Sequence, residues 1–209
     1  NRFAHIRDLE TAAKLSGGGP NNDTLYSRAW LYVKDEPVIV SVPAIAERYY
    51  TLEFVDWLGD NFDYVGTRAT GTQAGHYAVV PVGWKGTLPP GVKALTAVTT
   101  PWAIIMGRTF VKDAADLPAV RAIQDQYKIT PLSQWGNANA IAPRTPEIWQ
   151  PLETKSDPLA DWKNINRALT EVAPDPRDAD LVRSFKQLGI GPGLDVEAQP
   201  PAIKRGLAR

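Results

Sequence analysis

The chain has no cysteine, which excludes disulfides, thiol catalysis, iron–sulfur ligation and covalent haem attachment through its own residues. It has only two histidines, His5 and His76, too few for a three-histidine zinc site. Neither sign of charge dominates. Twenty-three basic residues balance 23 acidic ones, so no net field draws in nucleic acid or an anionic membrane, and neither partner is expected. No apolar run approaches the ~18 residues that span a bilayer; the run from Trp102 to Met106 stops at Gly107 and Arg108. With 44% hydrophobic and 22% charged residues over 209 positions, the chain reads as a soluble folded protein. Its core could bury roughly 70% of the unfolded surface without help from metal or disulfide, and no cofactor or metal is expected. It begins at Asn1 with no signal-like segment, the expected form of a processed or truncated product. The lack of cysteine fits export, and a periplasmic or extracellular setting is the expectation.

From Leu25 to Phe110, short runs of Val, Ile, Tyr, Phe and Trp alternate with Gly, Pro and Asp, a pattern of β-structure. In residues 25–33, alternation puts Leu25, Ala29, Leu31 and Val33 on one face and Tyr26, Arg28, Trp30 and Tyr32 on the other. Residues 38–42 and 48–56 follow, and the three segments read as consecutive antiparallel strands. Tyr50, Leu52 and Phe54 alternate against Thr51, Glu53 and Val55 in the last of them. Further strands are predicted at 62–66, 76–81, 94–99 and 102–111, separated by turn residues. After Lys112 the period lengthens: Leu117, Val120, Ile123 and Tyr127 mark a helix with Pro118 in its first turn. Asp157-Pro158 and Asp175-Pro176 open two more helices, the second stopped by Gly189.

The expected architecture is therefore α+β, an antiparallel, jelly-roll-like β-sandwich with C-terminal helices. The expected boundaries are an N-terminal segment at 1–19, the β-sandwich with one following helix at 20–135, a Pro-rich connection at 136–158, and a helical extension at 159–209.

Pro20-Asn21-Asn22-Asp23-Thr24-Leu25-Tyr26-Ser27 followed by Ala29-Trp30-Leu31 resembles the opening of the bacterial family called domain of unknown function 1254. The similarity continues through Ser41-Val42-Pro43, Arg48-Tyr49-Tyr50, Thr70-Gly71-Thr72, Gly83-Trp84-Lys85-Gly86, Gly107-Arg108-Thr109 and Gln124-Asp125-Gln126-Tyr127. It spans residues 20–135. The resemblance implies a β-sandwich, frequent export, and a following domain of unknown function 1214, here expected to be missing beyond Arg209. It implies no settled activity.

Residues 21–27 gather an amide, a carboxylate, a phenol and hydroxyls at the start of a strand. Asp23 could act as a general base and Tyr26 as a proton donor; alternatively, Asn21 and Asp23 make local turn-shaping hydrogen bonds. Arg28, beside Tyr26 and Trp30, and Arg108 could each hold a carboxylate or phosphate. Arg108 could equally pair with Asp56 or Asp125. Trp30 is expected to be largely buried, and Tyr50 to join Tyr26 and Arg28 on one concave face suited to an apolar or aromatic ligand with an anionic or carbonyl group. The ligand-binding set is thus Asn21, Arg28, Trp30, Tyr50 and Arg108. A Ser27, His5 and Asp23 triad is conceivable, although no nucleophile elbow is present. Asp56, Asp60, Asn61 and Asp63 carry oxygen ligands at spacings unlike an EF-hand, and turn capping explains them as well. Small-molecule binding is the leading expectation. A metal-independent hydrolase or lyase using Asp23, Tyr26 and Arg28 is the rival, and a structural module docking a partner domain or subunit is the third.

Overall fold

The computed structural model describes residues 1–10, 21–139, 156–172 and 174–209. The chain forms two compact units, Asn1–Arg144 and Thr145–Arg209. In the first, strands β1 (Arg2–His5), β2 (Thr24–Tyr32), β3 (Val38–Val42), β4 (Tyr50–Asp56), β5 (Asn61–Gly66), β6 (Gly75–Val79), β7 (Val92–Ala94) and β8 (Trp102–Phe110) precede helix α1 (Leu117–Gln124) and strand β9 (Lys128–Pro131). A five-stranded sheet runs β1-β2-β8-β4-β5 and a four-stranded sheet β7-β6-β3-β9. All pairs are antiparallel except β6 with β7. With the helices, this is the expected α+β class.

Alternation sets the faces. Along β2, Leu25, Ser27, Ala29 and Leu31 are buried, whereas Arg28 and Trp30 are exposed and Tyr26 and Tyr32 half-buried. One buried cluster takes Ala29 and Leu31 from β2, Leu52 and Phe54 from β4 and Ile105 from β8, together with Val38 and Val40 from β3 and Val79 from β6. It therefore draws on both sheets, and each of its Val, Leu, Ile and Phe side chains contributes roughly 1.5–3 kcal/mol on leaving water. The strands expected to be consecutive neighbours are not: β3 pairs with β6 and β9, while β2 and β4 lie on either side of β8. Alternation specifies which side of a strand is apolar but not which strand lies beside it.

Strand β1 and strand β9 were not expected, and the strand predicted at 94–99 lies instead at Val92–Ala94, followed by an isolated bridge from Pro81 to Val98. The β1 segment has one apolar residue facing inward, Phe3, too little for a periodic signal. Its partner strand supplies the rest.

Before α1, Asp113 caps a short turn by accepting from the Asp116 backbone N–H at 3.1 Å. Arg48 Nη1 and Nη2 donate to the two carboxylate oxygens of Asp116 at 2.5 and 2.6 Å, tying the start of β4 to that turn.

The second unit holds α2 (Ala160–Glu171), α3 (Ala179–Ser184) and α4 (Pro201–Leu207). Leu159, Ile190 and Val196 form its core with Trp162 and Leu207 packed against them. The buried Asn166 donates to the carbonyls of Gly189 and Leu194 and accepts from the Gly191 N–H, within 2.7–2.8 Å. Much of the Pro-rich connection, with Trp149, and the glycines at 17–19 lie outside the described residues. No helix among the described residues is long and apolar enough to cross a membrane.

Candidate functional site

The outer face of the five-stranded sheet collects the chemistry. Register places Tyr26 opposite Arg108 and Arg108 opposite Thr51, which pairs in turn with Gly66. The next row on the same face is Ala4, Arg28, Met106, Glu53 and Tyr64, and the row after it includes Arg2, Trp30, Ile104 and Val55. Cross-strand neighbours on one face stand about 4.5–5.5 Å apart, so residues far apart in sequence become a continuous surface.

Tyr26 is the centre of this surface. The Arg28 guanidinium carbon lies 5.2 Å from its ring centroid and that of Arg108 5.4 Å. Such contacts are worth roughly 0.5–1 kcal/mol at exposed positions and fix where the two cations stand. Neither guanidinium, nor that of Arg68, forms an ion pair with a carboxylate among the described residues. The expected alternative for Arg108, a buried pair with Asp56 or Asp125, is not formed. Arg108 is exposed, Asp56 accepts from the N–H groups of Leu58 and Asp60, and Asp125 pairs with Arg7.

Beside Arg108 is a cleft of about 430 Å³ walled by Tyr49, Thr51, Glu53, Tyr64 and Arg68. Its end depends on Gly66, whose φ of +152° lies in a region L side chains rarely adopt and whose Cβ would sit 2.4 Å from the Tyr50 carbonyl oxygen. The Gly66 carbonyl accepts from the N–H groups of Ala69, Thr70 and Gly71, building the turn that holds the Arg68 guanidinium 5.6 Å from the Tyr49 ring. Opposite, Glu53 Oε1 accepts from Asn61 Nδ2 at 3.0 Å, and Asn61 Nδ2 also reaches Tyr64 Oη at 2.8 Å. The cleft thus joins two guanidiniums, two phenol rings and one oriented carboxylate.

The structure brings Tyr26, Arg28 and Arg108 together and separates the other expected members. Asn21 binds Thr24, accepting from its backbone N–H at 3.1 Å and donating Nδ2 to its hydroxyl at 2.6 Å, so it shapes the turn before β2. Asp23 is exposed, and no hydrogen bond or ion pair joins it to Tyr26 or Arg28. Trp30 is corrected from buried to 49% exposed; it shares the face with Arg28 but packs against Trp57 in a tilted pair with ring centroids 5.4 Å apart. Tyr50 is corrected from the aromatic face to the core: its ring is fully buried, donating to the Gly71 carbonyl at 3.2 Å. Burial, reinforced by Tyr77, pushes its phenol above the usual tyrosine range.

Tyr49, Glu53, Tyr64 and Arg68 were not singled out. Alternation had set Thr51 and Glu53 opposite the apolar face of their strand, but only the register with β8 puts them beside Arg108.

Two members of the conceivable triad do meet. His5 Nδ1 and Ser27 Oγ are 2.9 Å apart, and Gln124 Nε2 donates to Ser27 Oγ at 3.2 Å and to the Tyr26 carbonyl at 3.1 Å. Ser27 is fully buried on the inner side of β2, so no substrate reaches it, and Asp23 takes no part. Burial, followed by the Arg7 charge, holds the His5 pKa below the usual histidine value, with Asp125 opposing them. Burial pushes the Tyr127 phenol up to about 12 against its hydrogen bond with Thr109. His76 is exposed, and its Nδ1 lies 2.8 Å from Ser41 Oγ. Of the acidic cluster, Asp56 and Asp63 cap backbone, Asp63 accepting from the Thr96 and Tyr64 N–H groups, while Asn61 bonds Glu53 and Tyr64; no group of three or more metal-ligating side chains occurs among the described residues.

Fold and face define an α+β protein with two mostly antiparallel sheets, one of which presents an arginine- and aromatic-rich outer surface. The chain belongs to the family described as "Protein of unknown function (DUF1254)", matched over residues 1–131. Among solved structures it is similar to the VPA0106 protein from Vibrio parahaemolyticus, at 26% identity and a TM-score of 0.66 over 90% of this chain. It covers 46% of that protein, so it spans about half its length. No curated protein matches the chain.

Proposed function

We propose that the outer face of the five-stranded sheet binds a small aromatic or apolar molecule bearing a carboxylate or a similar anionic or carbonyl group. The observation that carries this reading is that Arg28 and Arg108 both stand against Tyr26 without a carboxylate partner among the described residues, and that Arg108 lines the cleft walled by Arg68. An unpaired guanidinium offers a planar fork of donors matched to a carboxylate, and the adjacent rings supply apolar contact. A periplasmic or extracellular setting belongs to the same proposal; cell fractionation checks it.

Calorimetric titration with benzoate tests the reading. Wild-type protein is expected to bind, and Arg108→Ala to weaken binding about tenfold or more, the loss of a charge-assisted hydrogen bond of about 1.5–3 kcal/mol. Asn21→Ala, at the turn, is expected to leave affinity unchanged. Absence of benzoate binding to the wild type sinks the proposal.

The geometry lends less support to hydrolysis or elimination through Asp23, because that carboxylate stands apart from Tyr26 and Arg28. A docking role for a partner domain or subunit has one specific observation in its favour, the exposed, tilted pair of Trp30 and Trp57. A monomer whose Trp30→Ala variant keeps every association of the wild type would remove it.

A further inference from the structure

The cleft holds a carboxylate that a simple anion site has no use for. Glu53 follows Thr51 by two residues on the same face of β4, and Thr51 is the cross-strand partner of Arg108. Glu53 and Arg108 are therefore diagonal neighbours, about 7–8 Å apart at the backbone, yet they form no ion pair. Asn61 Nδ2 donates to Glu53 Oε1 at 3.0 Å, and Tyr64 Oη stands 3.5 Å from the same oxygen. That anchoring occupies Oε1 and turns the carboxylate into a fixed acceptor on the cleft wall. Neither Glu53 nor Tyr64 stands out as a site residue by sequence alone.

Resting on the proposed function, we propose that Glu53 selects the ligand: the molecule held by Arg108 also carries a hydrogen-bond donor, a hydroxyl or an amine, at the end remote from its anionic group. The chemistry works in two directions. A donor placed against Glu53 makes a charge-assisted hydrogen bond. An anion without a donor meets only the repulsion of a second carboxylate across a small cleft and loses affinity. The opposing charges of Arg108 and Glu53 along the cleft wall thus orient a ligand as well as hold it.

Benzoate, 4-methoxybenzoate and 4-hydroxybenzoate, titrated into wild-type protein and into Glu53→Ala, test the inference. The hydroxyl compound is expected to bind the wild type about tenfold or more tightly than the other two, of which the methoxy compound controls for size. In Glu53→Ala the hydroxyl preference is expected to vanish while benzoate binds equally well or a few-fold more tightly, as removal of a like charge requires. A merely structural Glu53 would weaken all three alike, and unchanged thermal unfolding of the variant keeps the comparison sound. If wild-type protein binds benzoate and 4-hydroxybenzoate equally, or Glu53→Ala retains the preference, the inference fails while the anion site stands. If wild type binds none of the three, both fail.

Discussion

The imidazole Nδ1 of His5 lies 2.9 Å from the hydroxyl of Ser27 across the β1–β2 pair. This contact pins the first strand to the sheet, and the Gln124 amide completes it from α1. Because burial and Arg7 depress the His5 pKa, the unfolded chain binds a proton more readily than the folded one below the ordinary value of 6.5. The contribution is present in full above that pH and is lost as pH falls through the folded value. Denaturation midpoints measured between pH 7.5 and 5 should fall for the wild type and fall less steeply for His5→Asn. Parallel slopes would show that His5 is not the group responsible.

The Arg48–Asp116 pair operates at lower pH. Hydrogen bonds from Arg48, then from the Lys112 backbone, hold the Asp116 carboxyl at about 2, against 3.8 in the absence of partners. Its stabilisation is present above 3.8 and lost as pH falls toward about 2. Arg48→Met should lower stability at neutral pH by about 1–2 kcal/mol and flatten the acid limb of a urea-denaturation series. An unaltered acid limb would contradict this.

Trp30 should tolerate truncation. It is 49% exposed and gains mainly its contact with Trp57, so Trp30→Ala should cost about 0.5–1.5 kcal/mol, rather than the ~3–5 kcal/mol of a buried tryptophan. Equilibrium denaturation followed by circular dichroism decides between the two.

Gly66→Ala should destabilise by about 1–3 kcal/mol, since the added Cβ falls 2.4 Å from the Tyr50 carbonyl oxygen at a φ of +152°. It should also weaken benzoate binding, because the turn that carries Arg68 starts there. Wild-type affinity in a folded Gly66→Ala protein would show that Arg68 contributes nothing to the cleft.

Tyr26→Leu should lower benzoate affinity while shifting the thermal midpoint by no more than a surface substitution does, about 0.5 kcal/mol in stability. The ring positions the Arg28 and Arg108 guanidiniums and lies outside the core. A sharp loss of stability with intact binding would assign it a structural role.

The α+β class, the faces of β2 and β4 and the helix that follows the large sheet are legible in the residues alone. Each of these rests on periodicity within one short segment, which steric alternation and helical pitch impose locally. The sequence also put Tyr26 and Arg28 on one face, because residues two apart on a strand point the same way. The tertiary structure alone decided that this face turns outward, leaving Trp30 exposed, whereas the place of Tyr50 beside Leu52 and Phe54 follows from alternation along β4. The tertiary structure also decided that Glu53 and Arg108 line one cleft with Arg68. Those facts depend on strand order, register and the Gly66 turn, and pairing energies between residues tens of positions apart leave no mark on the local pattern of either partner.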